Sequence, residues 1–227
     1  MIIFLKKYTI IEIDKIKEVF NLFVQTHTIM AHHISEHIRQ DFNLSLDKYS
    51  FTWGNIKPDL FKSYIKDKHY MAESIDSVSN KILELSYLNP SNIFIERNFD
   101  KFSLHMGIIC HYICDFFCLP HFKRWKYFEG ETIEHFLYEK RLNTKAKEIS
   151  TPKKILLPDS PDITPVGIKN LINETQSEYK HIEDYKRDIL YAINICSEVI
   201  KRILNAIFNK RPKYVYSCNY SIVRVAN

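Results

Sequence analysis

Side chains that ligate metals recur at helical spacing in HYICDFFCLPHFKRWKYFEGETIEHFLYE, residues 111 to 139. His111 and Asp115 stand one helical turn apart in an apolar stretch, and His135 and Glu139 repeat the pattern, so each pair projects from one face of a helix. His121 follows Pro120, which halts a helix and turns the next side chain in a new direction. Imidazole nitrogen with carboxylate oxygen suits Zn²⁺ and would also accept Mn²⁺ or Fe²⁺. A single His-x-x-x-Asp pair is ordinarily a surface hydrogen bond. Here the neighbours are Ile108, Ile109, Ile113, Phe116 and Phe117, among which a carboxylate is costly to desolvate without a cation or strong donors. The chemistry these residues point to is that of a hydrolytic metal centre.

Further donors lie upstream. GNIKPDLFKSYIKDKHYMAE offers Asp59 and His69, and QTHTIMAHHISEHI offers His27, His32, His33 and His37. His33 and His37 also share a helical face, but Ser35, Glu36 and Arg39 around them mark that face as solvated. His105 is expected to be a buried, hydrogen-bonded side chain, and His181, in a charged run, to be exposed. Cys110, Cys114 and Cys118 form a stripe that could be read as soft ligands; small packing residues beside the His111/Asp115 face explain it more simply. With Cys196 and Cys218 the count is odd, which argues against a disulfide framework and for reduced thiols.

The elements that must position these groups read as helices. A chain of 227 residues fits one domain with a sizeable core, and 45% hydrophobic with 26% charged residues is neither disordered nor membrane-embedded. The net charge of +5 is scattered, so it permits attraction to phosphate or an anionic surface without demanding either. The apolar start is broken by Asp14, Lys15, Lys17 and Glu18 before a signal-peptide core is complete, so a soluble, cytoplasmic protein is expected. Ile11, Ile13, Ile16, Phe20, Phe23 and Val24 predict one opening helix, and Ile29, Ile34 and Ile38 a second, capped by Thr26. Residues 41 to 60 read as largely loop, followed by a long helix that His69 opens and that ends near Asn89-Pro90. Asp100 to Phe117 reads as a central buried helix. Residues 149–165 are a Pro-rich connection, and the stretch to Phe208 is two helices or one bent one. The tail, residues 211–227, is strand-like in composition but has no evident partner strand and stays unassigned. Only 4 glycines and no fixed-period repeat support an all-α, single-domain fold over residues 1–227.

Taken in order, Thr26-His27 before an apolar helix, Gly54 to Asp59 as G-x-x-x-P-D, His69, His111-Tyr112 with Asp115, His121, and His135 with Glu139 resemble the bacterial zinc-dependent phospholipase C family. That family includes lecithin-cleaving exoenzymes and alpha-toxin; the zinc-dependent single-strand nucleases of the same fold are a more remote likeness. The resemblance covers residues 26 to 141, half of the chain, and leaves residues 1–26 as an N-terminal extension. It implies a helical bundle with three zinc ions in one cleft. By it Asp59, His69, His111 and Asp115 surround one ion, while His121, His135 and Glu139 hold a second with an open position for water or phosphate. His27, with Asp115 as a bridge, would hold the third, and Asp59 would also be the catalytic general base. Secreted relatives complete that third site with the α-amino group and carbonyl of an N-terminal tryptophan shortly before the matching histidine. Here Ile16 to Val24 contains no Trp and lies inside the chain, where an acylated nitrogen is a poor ligand. Two Zn²⁺ ions are therefore expected, with the third site weaker, differently completed or empty.

The resemblance implies hydrolysis of a phosphodiester, with a phosphorylated headgroup and diacylglycerol as products. A nuclease or phosphomonoesterase on the same cluster is the alternative, and a non-catalytic zinc-stabilised binding module a third. The partner expected is a phospholipid or other phosphodiester, with transient membrane-surface contact and no stable nucleic-acid partner. FKRWKYF, residues 122 to 128, would suit a lipid interface, a nucleic-acid backbone or a plain solvated loop equally. The choline-preferring relatives carry aromatic rings where Leu60 and Lys66 stand here, so a quaternary ammonium would lose its cation–π cage.

Overall fold

The computed structural model describes residues 10–61, 69–123, 132–158, 163–179, 183–209, 216–218 and 221–223. In chain order the helices are α1 (Ile10–Phe42), α2 (Lys48–Leu60), α3 (Met71–Ser86), α4 (Pro90–Ile93), α5 (Glu96–Phe116), α6 (Leu119–Phe122), α7 (Thr132–Glu148), α8 (Pro165–Tyr179) and α9 (Tyr185–Asn209). The fold is all-α, with one small addition. Strand β1 (Tyr216–Cys218) pairs antiparallel with β2 (Ser221–Val223), so the strand-like tail finds its partner within itself.

Helix α5 is the axis of the bundle. It packs against α2, α3 and α9, while α1 lies on α2, α7 and α9. Ile109, Ile113, Phe116 and Phe117 from the α5 segment meet Ile34 and Ile38 of α1, Ile82 of α3 and Ile193, Ile200 and Ile203 of α9 in one continuous core. Each fully buried side chain of this size is worth about 1.5–3 kcal/mol. None of the described helices is long and apolar enough to cross a membrane.

Three expectations need correction. The two opening helices are one, since no Gly or Pro interrupts residues 10 to 42, and Thr26 is a buried mid-helix residue whose Oγ1 accepts from Asn143 Nδ2 at 3.0 Å. The helix ends where Asn43 takes a left-handed conformation, φ 50°. Residues 48–60, read as loop, form α2: the Asp47 side chain accepts from Ser50 N at 2.7 Å as an N-cap, and Pro58 falls in the last turn. Gly54 reads as a turn signal but serves a helix crossing. A Cβ on Gly54 would lie 2.2 Å from the Leu104 carbonyl oxygen, and one on Gly107 of α5 2.2 Å from the Phe51 carbonyl oxygen, so the two backbones touch at a paired glycine. His33 and His37 are buried rather than solvated. His37 Nδ1 lies 3.3 Å from Ser197 Oγ, backbone carbonyls at Ile149 and Pro152 engage the two rings, and burial lowers the pKa of both. Lys66, His181 and Arg124–Phe128 of the aromatic loop lie outside the described residues.

Candidate metal centre

Five helices and one turn deliver the donor side chains to one region. Asp59 comes from the last turn of α2 and His69 from the turn ahead of α3; His111 and Asp115 come from α5, His121 from α6, His135 and Glu139 from α7, and His27 from α1. His27, His111, Asp115, His135 and Glu139 are all buried. Pro120 stands in the first turn of α6, where its missing N–H costs nothing, and the short helix aims His121 back at Asp115.

Asp115 is the hub. Its Oδ2 is 2.6 Å from His69 Nδ1 and 3.3 Å from His111 Nε2, and its Oδ1 is 3.3 Å from His27 Nε2 and 3.9 Å from His121 Nε2. Asp59 Oδ1 is 3.6 Å from both His69 Nδ1 and His111 Nε2, and those two nitrogens are 3.1 Å apart. Four donors at the corners of a tetrahedron, each about 2.0–2.1 Å from its centre, are separated by about 3.3 Å. The separations among Asp59, His69 and His111, 3.1 to 3.6 Å, scatter around that value, so these three fit a zinc-sized cation, with Asp115 Oδ2 beside the two imidazoles. On the other side of the hub, Glu139 Oε1 is 3.8 Å from His121 Nε2 and 3.7 Å from His135 Nε2.

Supporting contacts fix how the donors face. His111 Nδ1 donates to the Asn55 carbonyl at 2.8 Å, which leaves Nε2 as the lone-pair nitrogen turned to the cluster. Asp59 Oδ2 and His121 Nδ1 are buried without a hydrogen-bond partner among the described residues, which a bound ion or its waters would explain. Further out, the buried Asp188 accepts from Tyr138 Oη at 2.6 Å, from Tyr179 Oη, and from Leu119 N at 3.2 Å. It thereby ties the turn before His121 and the helix carrying Glu139 to α9.

The electrostatics are those of a cation site in which protons stand in for metal. Burial opposes charging His27 and His69, yet the Asp115 carboxylate outweighs it and raises both pKa values. Burial also opposes ionising Asp115, but the surrounding His121 and His111 and the bonds from His27 and His69 hold it well below the usual carboxylate range. Burial pushes Asp59 up to about 6 and His121 down to about 4, and drops His111 well below the ordinary imidazole value.

Every residue singled out as a ligand in the sequence comes to this region, and three groups could hold an ion: His27 with His111 and Asp115, Asp59 with His69 and His111, and Cys118 with His121 and Glu139. The third group contains a residue that sequence reasoning assigned to packing. The C-x-x-H spacing of Cys118 and His121 was the available signal. Cys110, Cys114 and Cys196 do pack together, with Cys114 Sγ 3.7 Å from Cys196 Sγ and no disulfide among the described cysteines. Sequence reasoning also missed Asn55, whose contribution is a backbone carbonyl, and the Asp188 network, which no local spacing announces.

Beside His121 a cavity of about 280 Å³ opens between Tyr70, Met71, Phe116, Phe122 and Gln176. No curated protein and no solved structure matches the chain. The sequence pattern of the family described as "Zinc dependent phospholipase C" matches residues 26–194, about three quarters of it. On that match, which runs from the helix bearing His27 to the one bearing Asp188, the chain belongs to the zinc-dependent phospholipase C family.

Proposed function

We propose that this chain hydrolyses phosphodiester bonds, taking a glycerophospholipid and releasing its phosphorylated headgroup and diacylglycerol. The observation that carries the reading is the ligand-like spacing of Asp59, His69 and His111, with Asp115 beside them, next to a cavity whose wall includes His121. Zinc bound there would supply a Lewis acid for the phosphoryl oxygens and make water a competent nucleophile near neutral pH. Asp59 Oδ2, unengaged among the described residues, would accept a proton from that water. Asn55 holds the His111 ring so that only Nε2 is offered to the cluster. His27 with Asp115 is the weaker third position, because Ile10 to Thr26 continue as helix where relatives supply a terminal amine.

The size of the cavity favours a headgroup with its phosphate and leaves acyl chains outside. Tyr70 and Phe122 line its sides. A transient membrane contact has support along α2 and at its C-cap, where Tyr49, Trp53 and Phe61 are 84%, 42% and 43% exposed. They share one face with Lys57, whose Nζ lies 6.0 Å over the Phe61 ring. Aromatic rings with a cation on one helical face suit headgroup depth.

The experiment is a turnover panel at saturating zinc: mixed phosphatidylcholine and phosphatidylglycerol vesicles, single-stranded DNA, and a simple aryl phosphomonoester. Diacylglycerol from vesicles, with the other two intact, is the expected result. The rings of Tyr70 and Phe122 would also suit a nucleobase, so cleavage of DNA with intact vesicles would replace lipid by nucleic acid as the substrate. No turnover of any member would leave a zinc-stabilised binding module.

A further inference from the structure

Cys118 sits in the turn between α5 and α6 and is 5% exposed. Its Sγ lies 3.4 Å from Glu139 Oε1, the same oxygen that His121 Nε2 approaches at 3.8 Å and His135 Nε2 at 3.7 Å. The donor atoms of Cys118, His121 and Glu139 all fall within 4.8 Å of one another. In a tetrahedral site with a zinc–sulfur bond of about 2.3 Å and a zinc–oxygen bond of about 2.1 Å, sulfur and oxygen are about 3.6 Å apart. The separation from Glu139 is therefore already that of two ligands of one ion. A second cavity, about 10 Å³ and bounded by Cys118, Glu139, Asp115 and His27, lies beside the thiol. That is the size of one water or one ion. Cys110 and Cys114, by contrast, engage Cys196.

We propose that Cys118 supplies a thiolate ligand to the ion held by His121 and Glu139, its proton passing to solvent as the metal binds. The inference rests on the metal-centre reading above and adds a soft donor, which Cd²⁺ takes in preference to Zn²⁺. His135 Nε2, 3.7 Å from the same oxygen, is the further donor that would complete the four of a closed zinc site. The thiolate then occupies the position that a phosphate oxygen would otherwise take, and this half of the centre is structural or gated rather than open.

Loading the full chain with Co²⁺ tests this directly, because a thiolate on cobalt gives an intense sulfur-to-metal charge-transfer band in the near ultraviolet that nitrogen and oxygen donors do not. The wild type is expected to show the band, Cys118→Ser to lose it while keeping the visible bands of bound cobalt, and Cys114→Ser to retain both. Competition between Cd²⁺ and Zn²⁺ is a second readout: Cys118→Ser is expected to lower the preference for Cd²⁺ by at least about tenfold. Bound cobalt without the charge-transfer band, or a band that survives in Cys118→Ser, overturns the thiolate and leaves the metal centre standing. No bound cobalt at all overturns both. Should Cys118→Ser lose its helical circular dichroism, the cadmium NMR shift of the wild type decides, since each thiolate ligand moves it downfield.

Discussion

Replacing Gly54 with alanine should separate α2 from α5, and the size of the effect follows from the contact. The new Cβ would meet the Leu104 carbonyl oxygen at 2.2 Å and the Gly107 Cα at 2.9 Å, where ordinary contact begins at 3.4 Å. Both neighbours are backbone, so neither can rotate away, and the helices must part by about 1 Å. Overpacking of this kind costs about 1–3 kcal/mol, here at the upper end because no side chain can yield. Alanine is favoured over glycine inside a helix by about 1 kcal/mol, which acts in the opposite direction. The net loss should be on the order of 2 kcal/mol, roughly a 30-fold fall in the folded-to-unfolded ratio. The same shift would draw the Asn55 carbonyl from its 2.8 Å contact with His111 Nδ1 and move Asp59 off the cluster, so zinc affinity should fall as well. Urea unfolding of the metal-free chain measures the first effect and competition with a chelating dye the second. Gly107→Ala should do the same, because its Cβ meets the Phe51 carbonyl oxygen at the same distance. If Gly54→Ala leaves the chain as stable as wild type, or stabilises it, helix propensity outweighs the crossing and the backbone contact does not limit the packing of α2 on α5.

Asp115→Asn should abolish zinc retention and, by stranding the charges of His27 and His69, cost about 3–5 kcal/mol in the metal-free chain; elemental analysis giving unchanged zinc would refute the hub. Burial raises Asp188 from 3.8 to about 7, so between those values the native state holds a proton the unfolded chain has lost. Stability should therefore fall with rising pH across that window, by at most about 1.4 kcal/mol per pH unit from this group; urea titrations should show a flatter pH dependence for Asp188→Asn, and parallel curves would contradict the assignment. Chelation of zinc, where its free level stood about a thousandfold above Kd, should remove about 4 kcal/mol and lower Tm by about 10 °C, and a calorimetric midpoint that ignores chelator would argue against a metal in the fold. Trp53→Ala should weaken turnover of vesicles while leaving a soluble short-chain substrate unaffected; equal loss on both would mean that Trp53 does not act at the lipid surface.

The sequence made the long apolar helices and the donor spacing readable for one reason: both are periodic, and periodicity is local. The pairs His111/Asp115 and His135/Glu139 declare their shared faces through helix geometry alone. Helix α2 was hidden because Asn, Ser, Gly and Pro mark turns by local preference, while the Gly54–Gly107 contact that selects them here joins residues far apart in sequence. His33 and His37 were misread for a related cause. Ser35, Glu36 and Arg39 report the polarity of nearby positions, but burial came from the connection after α7, through the carbonyls at Ile149 and Pro152. Cys118 was legible in type and spacing yet not in role, since only the approach of α7 shows Glu139 beside its sulfur.

The carboxyl group of Asp188 has a consequence for how much chain an intact centre requires. All the donors lie between His27 and Glu139, yet the backbone just before His121 and the tyrosine just before Glu139 are moored to a residue that arrives some fifty positions later. A fragment cut after the last donor would possess every ligand and lack the anchor that keeps two of them in register. The helices downstream of the donors are thus working parts of the metal centre.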